Sequence, residues 1–110
     1  MICRIWRGWT TPENADAYES VVRGEVIPGI EAMQVPGFQH IDLVRRELDD
    51  EVEFVTIMWF DSLDSIKAFV GDDYTVSHVP AAAQAVLSRY DRHSAHYTVI
   101  DRRRQPPATL

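Results

Sequence analysis

The chain has 110 residues, of which 45% are hydrophobic and 25% are charged, and its formal net charge is −6. A chain of this length forms one domain, and the composition is typical of a soluble globular protein. The acidic balance disfavours nucleic acid as a partner, because phosphate binding needs clustered cations, and the basic run at residues 102–104 lies in a C-terminal tail.

A strand over residues 2–9 is predicted first, followed by a helix that begins at Thr11-Pro12. Threonine as N-cap and proline at the first helical position are typical of a helix start. The apolar stripe of this helix recurs at helical spacing and consists of Ala15, Tyr18, Val22 and Val26. Because the residue before a proline avoids helical angles, Pro28 predicts a kink or break near Ile27.

The middle of the chain predicts a β-hairpin and a second helix. Strands over residues 38–48 and 52–60 flank a turn at Asp49-Asp50. The second helix is expected to begin after a cap at Asp61 or Ser62 and to end at Gly71. A loop over residues 72–78, a short helix over 81–87 and a fourth strand over 92–100 complete the pattern.

The predicted order, β-α-β-β-α-β, is that of the ferredoxin-like split unit. It implies an α+β domain over residues 1–100, with an antiparallel sheet that carries both helices on one face. Residues 101–110 are expected to form a flexible C-terminal tail.

The strand over residues 52–60 is apolar on both faces. Alternation places its apolar side chains in two sets, with Val52, Phe54, Met58 and Phe60 on one side and Val55, Ile57 and Trp59 on the other. A sheet covered by helices on one face is usually polar on the other. We therefore predict that a second copy of the chain covers this face, giving a homodimer through sheet-to-sheet packing.

Cellular location follows from what the chain lacks. No segment approaches the roughly 18 consecutive apolar residues of a membrane helix, so no membrane partner is expected. Arg4 and Arg7 interrupt the apolar N-terminal residues, which is not the pattern of a secretory signal. The single cysteine, Cys3, excludes an internal disulfide and fits a reducing cytoplasm.

Several motifs between residues 1 and 100 carry a resemblance to a known family. They are Thr11-Pro12-Glu13, Pro36-Gly37-Phe38, the run WFDSLDS at residues 59–65, the Ala68-Phe69 pair and the following His78. In these features the chain resembles the antibiotic biosynthesis monooxygenase superfamily of dimeric α/β barrels. The resemblance implies a substrate pocket between sheet and helices in each subunit. The superfamily includes cofactor-independent monooxygenases acting on aromatic polyketides, haem-degrading enzymes, quinol oxygenases and members without known activity.

His78 and Tyr74 are the predicted catalytic residues. The resemblance implies a histidine near position 78, and the pKa of histidine suits proton transfer near neutral pH. The alternative is an exposed loop histidine. Tyr74 could hydrogen-bond a substrate oxygen, or it could be a half-buried lid over the core.

Trp59, Trp6, Arg4 and Phe69 are the predicted substrate-binding residues. The tryptophan rings suit an aromatic substrate, although each could instead pack in the core or a dimer interface. Phe69 stands where the haem-degrading branch is expected to have a tryptophan, and the first strand lacks that branch's asparagine, so haem chemistry is disfavoured.

Arg4 is a charged residue inside a mostly apolar strand. It could clamp a carboxylate or a phenolate. It could equally pair with Glu47 or Glu53 on a neighbouring strand, and this pairing is the interpretation we favour.

Metals and cofactors find no support in the sequence. His93 and His96 are three residues apart on a predicted strand and should face opposite sides, so no metal site is expected. His40 and Asp42 share a strand face, which favours an ordinary polar pair. The sequence contains no Gly-rich phosphate loop, dinucleotide fingerprint or nucleophile elbow, so no cofactor is predicted.

The family resemblance implies a cofactor-independent monooxygenase acting on a small aromatic or quinoid metabolite. In the scheme that the resemblance implies, a base removes a phenolic proton and the resulting anion reduces oxygen. The alternatives are a non-catalytic dimeric ligand-binding or stress-related protein, and a cyclase or isomerase on the same barrel.

Overall fold

Within residues 1–109, which the computed structural model describes, five strands form one antiparallel sheet. The strands are β1 (Ile2–Thr10), β2 (Phe38–Glu47), β3 (Val52–Phe60), β4 (Arg89–Tyr90) and β5 (Ala95–Thr98). The sheet order is β2-β3-β1-β4, and β5 pairs with β1 beyond β4 along the same edge. This arrangement confirms the ferredoxin-like α+β fold.

The first helical segment passes Pro28 without the predicted break. It consists of a 3₁₀ turn (Pro12–Asn14), α1 (Ala15–Val21), a π-helical turn (Val22–Val26) and α2 (Ile27–Ala32). The N–H of Ile27 donates to the carbonyl of Val22, five residues earlier. A proline inside a regular α-helix removes an i→i−4 hydrogen bond and collides with a carbonyl. Here the wider turn changes the hydrogen-bond spacing just before Pro28, so the helix continues.

The second predicted helix is confirmed as α3 (Leu63–Val70). The Ser62 hydroxyl accepts from the Ser65 N–H at 3.2 Å and caps its N-terminus. Gly71 ends the helix with a φ of 91°, which favours glycine. The next helix, α4 (Ala81–Gln84), is shorter than predicted.

The predicted fourth strand over residues 92–100 is wrong in its extent, because the chain contributes two short strands instead. Between β4 and β5, residues 92–94 leave the edge of β1 and pair with a loop. The N–H of Ser77 donates to the Arg92 carbonyl at 2.9 Å, and the N–H of Ser94 donates to the Thr75 carbonyl at 2.7 Å. In this segment the chain therefore forms backbone hydrogen bonds with the loop over residues 75–77 and not with β1.

One face of the sheet, here called the inner face, carries the helices and the core. Tyr18 and Val22 pack on Val52 and Phe54, and Ile66 packs with Met58 and Phe60 in a second cluster. The predicted division of β3 into two apolar sides is confirmed.

Among residues 1–109, no helix covers the opposite side, here called the outer face. Its apolar residues include Ile5, Val44, Val55, Ile57, Trp59 and Tyr97. Val44 is 46% exposed and Tyr97 is 57% exposed. Trp9 also lies on this face, where Arg89 covers it with the guanidinium 3.9 Å from the ring centre.

The last residues of the described chain, 101–109, are exposed and contain neither helix nor strand. Residue 110, the end of the predicted tail, lies outside the described residues. In the part of the chain that the structure covers, no helix has both the length and the apolar character needed to cross a membrane.

Candidate active site

A cavity of about 100 Å³ lies between the inner face of the sheet and the helices. Its wall is mostly apolar, with Val22, Val26 and Ile30 from the first helical segment and Met58 from β3. Ligand pockets of this kind combine an apolar wall with a few polar groups. The residues of this cavity that carry polar groups come from β1, from β3, from Tyr18 in α1 and from two loop segments.

Four of the six site residues proposed from the sequence line this cavity between sheet and helices, namely Arg4, Trp6, Phe69 and His78. Arg4 and Trp6 project from the inner face of β1, and Phe69 comes from the last turn of α3. His78 stands in the loop before α4. The fold thus brings together residues that are up to 74 positions apart in the chain.

His78 is exposed to solvent and also borders the cavity. A histidine in this position can contact a bound molecule and exchange its proton with water.

Trp6 forms part of the cavity wall and is held at both ends. Its indole N–H donates to the Asp91 carbonyl at 2.9 Å. The far edge of the ring lies over Gly8, where a Cβ would be 2.7 Å from the Cη2 atom of Trp6. Gly8 therefore leaves the room that the indole occupies.

Trp59 and Tyr74 do not line the cavity. Trp59 lies on the outer face, where its ring stacks on His40 with 4.4 Å between ring centres. Tyr74 packs against the second core cluster, and its ring meets His96 edge-on at 5.1 Å. What Tyr74 contributes to the site is its backbone carbonyl, which accepts a hydrogen bond from Arg4.

Arg4 is 5% exposed, and the predicted ion pair with Glu47 or Glu53 is wrong. Glu53 faces outward and pairs with Arg46, whereas Arg4 faces inward. Glu47 pairs with Arg45 and lies level with the far end of β1. Neither carboxylate can reach the guanidinium.

The partners of Arg4 are instead neutral groups. Its Nη1 donates to the Tyr74 carbonyl at 2.5 Å and lies 2.9 Å from Nε2 of His96. Burial, and then the charge of Arg4, lower the pKa of His96, so its imidazole is neutral at pH 7 and accepts this hydrogen bond. Burial lowers the pKa of Arg4 to about 10, which leaves the guanidinium charged at pH 7.

Two serine hydroxyls at the cavity were missed by sequence reasoning. The Oγ atoms of Ser77 and Ser94 are buried, line the cavity and have no hydrogen-bond partner among residues 1–109. Their positions follow from the pairing of residues 75–77 with 92–94, which no local pattern reveals. Thr56, which also lines the cavity, did have a signal, since it is a polar residue on the inner side of an otherwise apolar strand.

A metal centre is not formed by this arrangement. Among the described residues, no group of three or more His, Cys, Asp or Glu side chains could hold a metal ion.

Comparison with known proteins identifies the family. The family model described as antibiotic biosynthesis monooxygenase matches residues 1–81, which is most of the chain. The chain belongs to the antibiotic biosynthesis monooxygenase family. No curated protein matches it by sequence.

Solved structures of antibiotic biosynthesis monooxygenases share the fold. A Bacillus cereus protein assigned to this class superposes with a TM-score of 0.68 at 12% identity, over 97% of this chain and 98% of that one. A Nitrosomonas europaea protein of the same class gives 0.58 at 13% identity, over 90% and 89%. SnoaB from Streptomyces nogalater, a cofactor-independent oxygenase, gives 0.50 at 20% identity, over 96% and 98%. At these identities the likeness establishes the fold, whereas the family-model match confirms the resemblance seen in the sequence.

Proposed function

We propose that the protein is a cofactor-independent monooxygenase that oxidises a small aromatic or quinoid compound in the cavity. The observation that carries this proposal is the position of His78, a solvent-accessible histidine bordering an apolar cavity whose wall includes Trp6 and Phe69. Membership of the antibiotic biosynthesis monooxygenase family supports it. SnoaB adds that one protein with this fold is an oxygenase without a cofactor.

In the proposed reaction His78 removes a phenolic proton from the substrate. The resulting electron-rich anion reduces O₂, and a carbon–oxygen bond forms at a CH₂ carbon flanked by aromatic rings. The O–O bond then breaks, so that the CH₂ becomes a carbonyl and the second oxygen atom leaves as water. The apolar wall excludes water and orients the rings.

The test is oxygen uptake by the full chain with a panel of anthrone-like and quinol compounds. We expect uptake with at least one compound, and we expect His78→Ala to fold normally but to lose about 100-fold or more in kcat. His93→Ala is the matched control, because His93 is exposed and does not line the cavity.

Other outcomes would replace the proposal. Substrate conversion without oxygen consumption would indicate a cyclase or isomerase. Binding without conversion would indicate a non-catalytic protein, and full activity in His78→Ala would remove His78 from the mechanism.

We further propose that two copies of the chain pack through their outer faces. The apolar residues of β1, β2, β3 and β5 on that face adjoin one another through strand pairing. A sheet that faces water on one side normally carries polar residues there, whereas this face exposes Val44 and Tyr97. Packing this face against the same face of a second copy would remove its apolar surface from water without a second kind of partner.

A further inference from the structure

We propose that one end of the cavity is a binding site for an anionic oxygen of an aromatic ligand, formed by Arg4, Ser77 and Ser94. The inference deepens the proposed function. It rests on that proposal only because it takes the same cavity as the ligand site. It narrows the ligand to an aromatic compound that is bound as a phenolate or as a carboxylate.

The first observation is a buried cation without an anion. Arg4 is 5% exposed and lines the cavity. Among residues 1–109, no carboxylate lies within 4.0 Å of its guanidinium, and its hydrogen-bond partners are a backbone carbonyl and a neutral imidazole. Buried charges in proteins are normally paired, because removing them from water is costly. An anion in the cavity would complete the pairing.

The second observation is independent of the charge. The hydroxyls of Ser77 and Ser94 are buried at the cavity wall without partners. Ser94 as a whole is 6% exposed. Buried hydroxyls in folded proteins are nearly always hydrogen-bonded, so two that face the same cavity indicate a ligand atom that accepts from them.

The backbone holds both serines in place while leaving the hydroxyls free to turn. Val76 and His93 form a β-bridge, and hydrogen bonds from the N–H groups of Ser77 and Ser94 lie on either side of it. In this pairing the two serines are diagonal neighbours on the same face of the two paired segments. Each O–H can therefore rotate to donate to an acceptor between them.

The ligand class follows from combining this end with the rest of the cavity. Arg4 and the two hydroxyls all line the same cavity and all can donate hydrogen bonds, which favours an anionic oxygen as their shared acceptor. The wall includes the flat rings of Trp6 and Phe69, which suit an aromatic body. A bound phenol would be stabilised as its phenolate, the form that donates electrons in the proposed reaction.

The experiment is an equilibrium titration of the full chain with 4-nitrophenol, whose phenolate absorbs visible light and whose phenol does not. We expect the pKa of the bound compound to lie about one unit or more below that of the free compound, as for an acid beside a cation. Nitrobenzene, which has the same ring but no acidic oxygen, is the control ligand.

Variants measure how much Arg4 and the two serine hydroxyls each contribute to phenolate binding. Arg4→Met, which keeps the length of the side chain, should abolish the pKa shift and weaken phenolate binding at least tenfold, with nitrobenzene binding unchanged. Arg4→Lys should restore part of the shift. The double variant Ser77→Ala, Ser94→Ala should weaken phenolate binding severalfold without weakening that of nitrobenzene.

Three results would overturn the inference. They are an unshifted or raised pKa of bound 4-nitrophenol, equal phenolate affinity in Arg4→Met and the wild type, and equal losses for nitrobenzene and the phenolate. Benzoate, added as a second anion, distinguishes the sources: tighter binding than the phenolate assigns the site to a carboxylate, and weaker binding assigns it to a phenolate. The titration measures binding alone and consumes no oxygen. It can therefore support the anion site even if the oxygen-uptake assay contradicts the oxygenase proposal, and it can contradict the anion site even if that assay supports the oxygenase proposal.

Discussion

The protonation of His96 affects its hydrogen bond with Arg4 and, through it, the stability of the fold. Its Nε2 atom is 2.9 Å from Nη1 of Arg4, and it can accept this hydrogen bond only while the ring is neutral. Burial and the neighbouring guanidinium both lower its pKa below the usual value of 6.5. The folded protein therefore binds this proton less readily than the unfolded chain does.

This difference predicts a loss of stability in mild acid. As the pH falls below about 6.5, the unfolded chain takes up the proton first, so the free energy of unfolding decreases until the lowered pKa of the folded state is reached. We expect His96→Gln, whose amide oxygen can still accept from Arg4, to be less sensitive to pH. Urea unfolding between about pH 7.5 and 5.5 measures this.

His93→Gln is the matched control, because His93 is exposed. It should follow the pH dependence of the wild type. An equal decrease in the free energy of unfolding for His96→Gln and the wild type would show that His96 does not titrate in this range.

At the scale of elements, the start of β2 is tied to the start of α3 through Gly37. Its φ is 83°, and a Cβ at this position would lie 2.0 Å from the Ser65 hydroxyl oxygen. Its carbonyl accepts from the Asp61 N–H at 2.8 Å. The Pro36-Gly37-Phe38 motif, noted in the sequence as part of the family resemblance, thus has a steric reason.

Gly37→Ala is predicted to decrease the free energy of unfolding by about 3 kcal/mol. Alanine would have to adopt a left-handed backbone conformation, and its methyl group would have to displace Ser65. The N–H of Ser65 also donates to the Ser62 hydroxyl that caps α3. Chemical denaturation monitored by the tryptophan fluorescence measures the change.

The control is Gly29→Ala, since Gly29 lies in α2 with no atom within 4 Å of its Cβ position. It should increase stability by about 0.5–1 kcal/mol, the helix preference of alanine over glycine. A loss below about 1 kcal/mol for Gly37→Ala would mean that the turn relaxes around the new methyl group.

At the scale of the whole molecule, the proposed dimer predicts that the outer face is sensitive to charge. Val44 is 46% exposed in one subunit, so Val44→Glu should have little effect on the fold of the monomer. In a dimer the new carboxylate would be buried on both sides of the interface. Sedimentation equilibrium should show a dimer dissociation constant at least tenfold higher than that of the wild type.

Met33→Glu is the matched control, because Met33 is 52% exposed and lies after α2, away from the outer face. It adds the same charge and should leave the dimer intact. A wild-type chain that sediments as a folded monomer at high concentration would contradict the proposed assembly.

Local signals explain why much of this fold could be predicted. The alternation in β3, the Ser62 cap and Gly71 each act within a few residues, so the strand, the start of α3 and its end follow from sequence. Pro28 predicted a kink or break near Ile27, and the helix instead continues through a π-helical turn, which has no sequence pattern of its own. Part of the site, Arg4, Trp6, Phe69 and His78, was also predicted, from residue chemistry and family resemblance.

By itself, the sequence determined the order of the elements, the two apolar sides of β3 and the family, because alternation, caps and motifs are properties of neighbouring residues. Only the tertiary structure decided which side of the sheet each side chain shares with others. It placed Trp59 away from the cavity, left Arg4 beside Tyr74 and His96 instead of a glutamate, and turned Ser77 and Ser94 into the cavity. These relations depend on strand register and on pairing between segments distant in the chain, which no short pattern specifies.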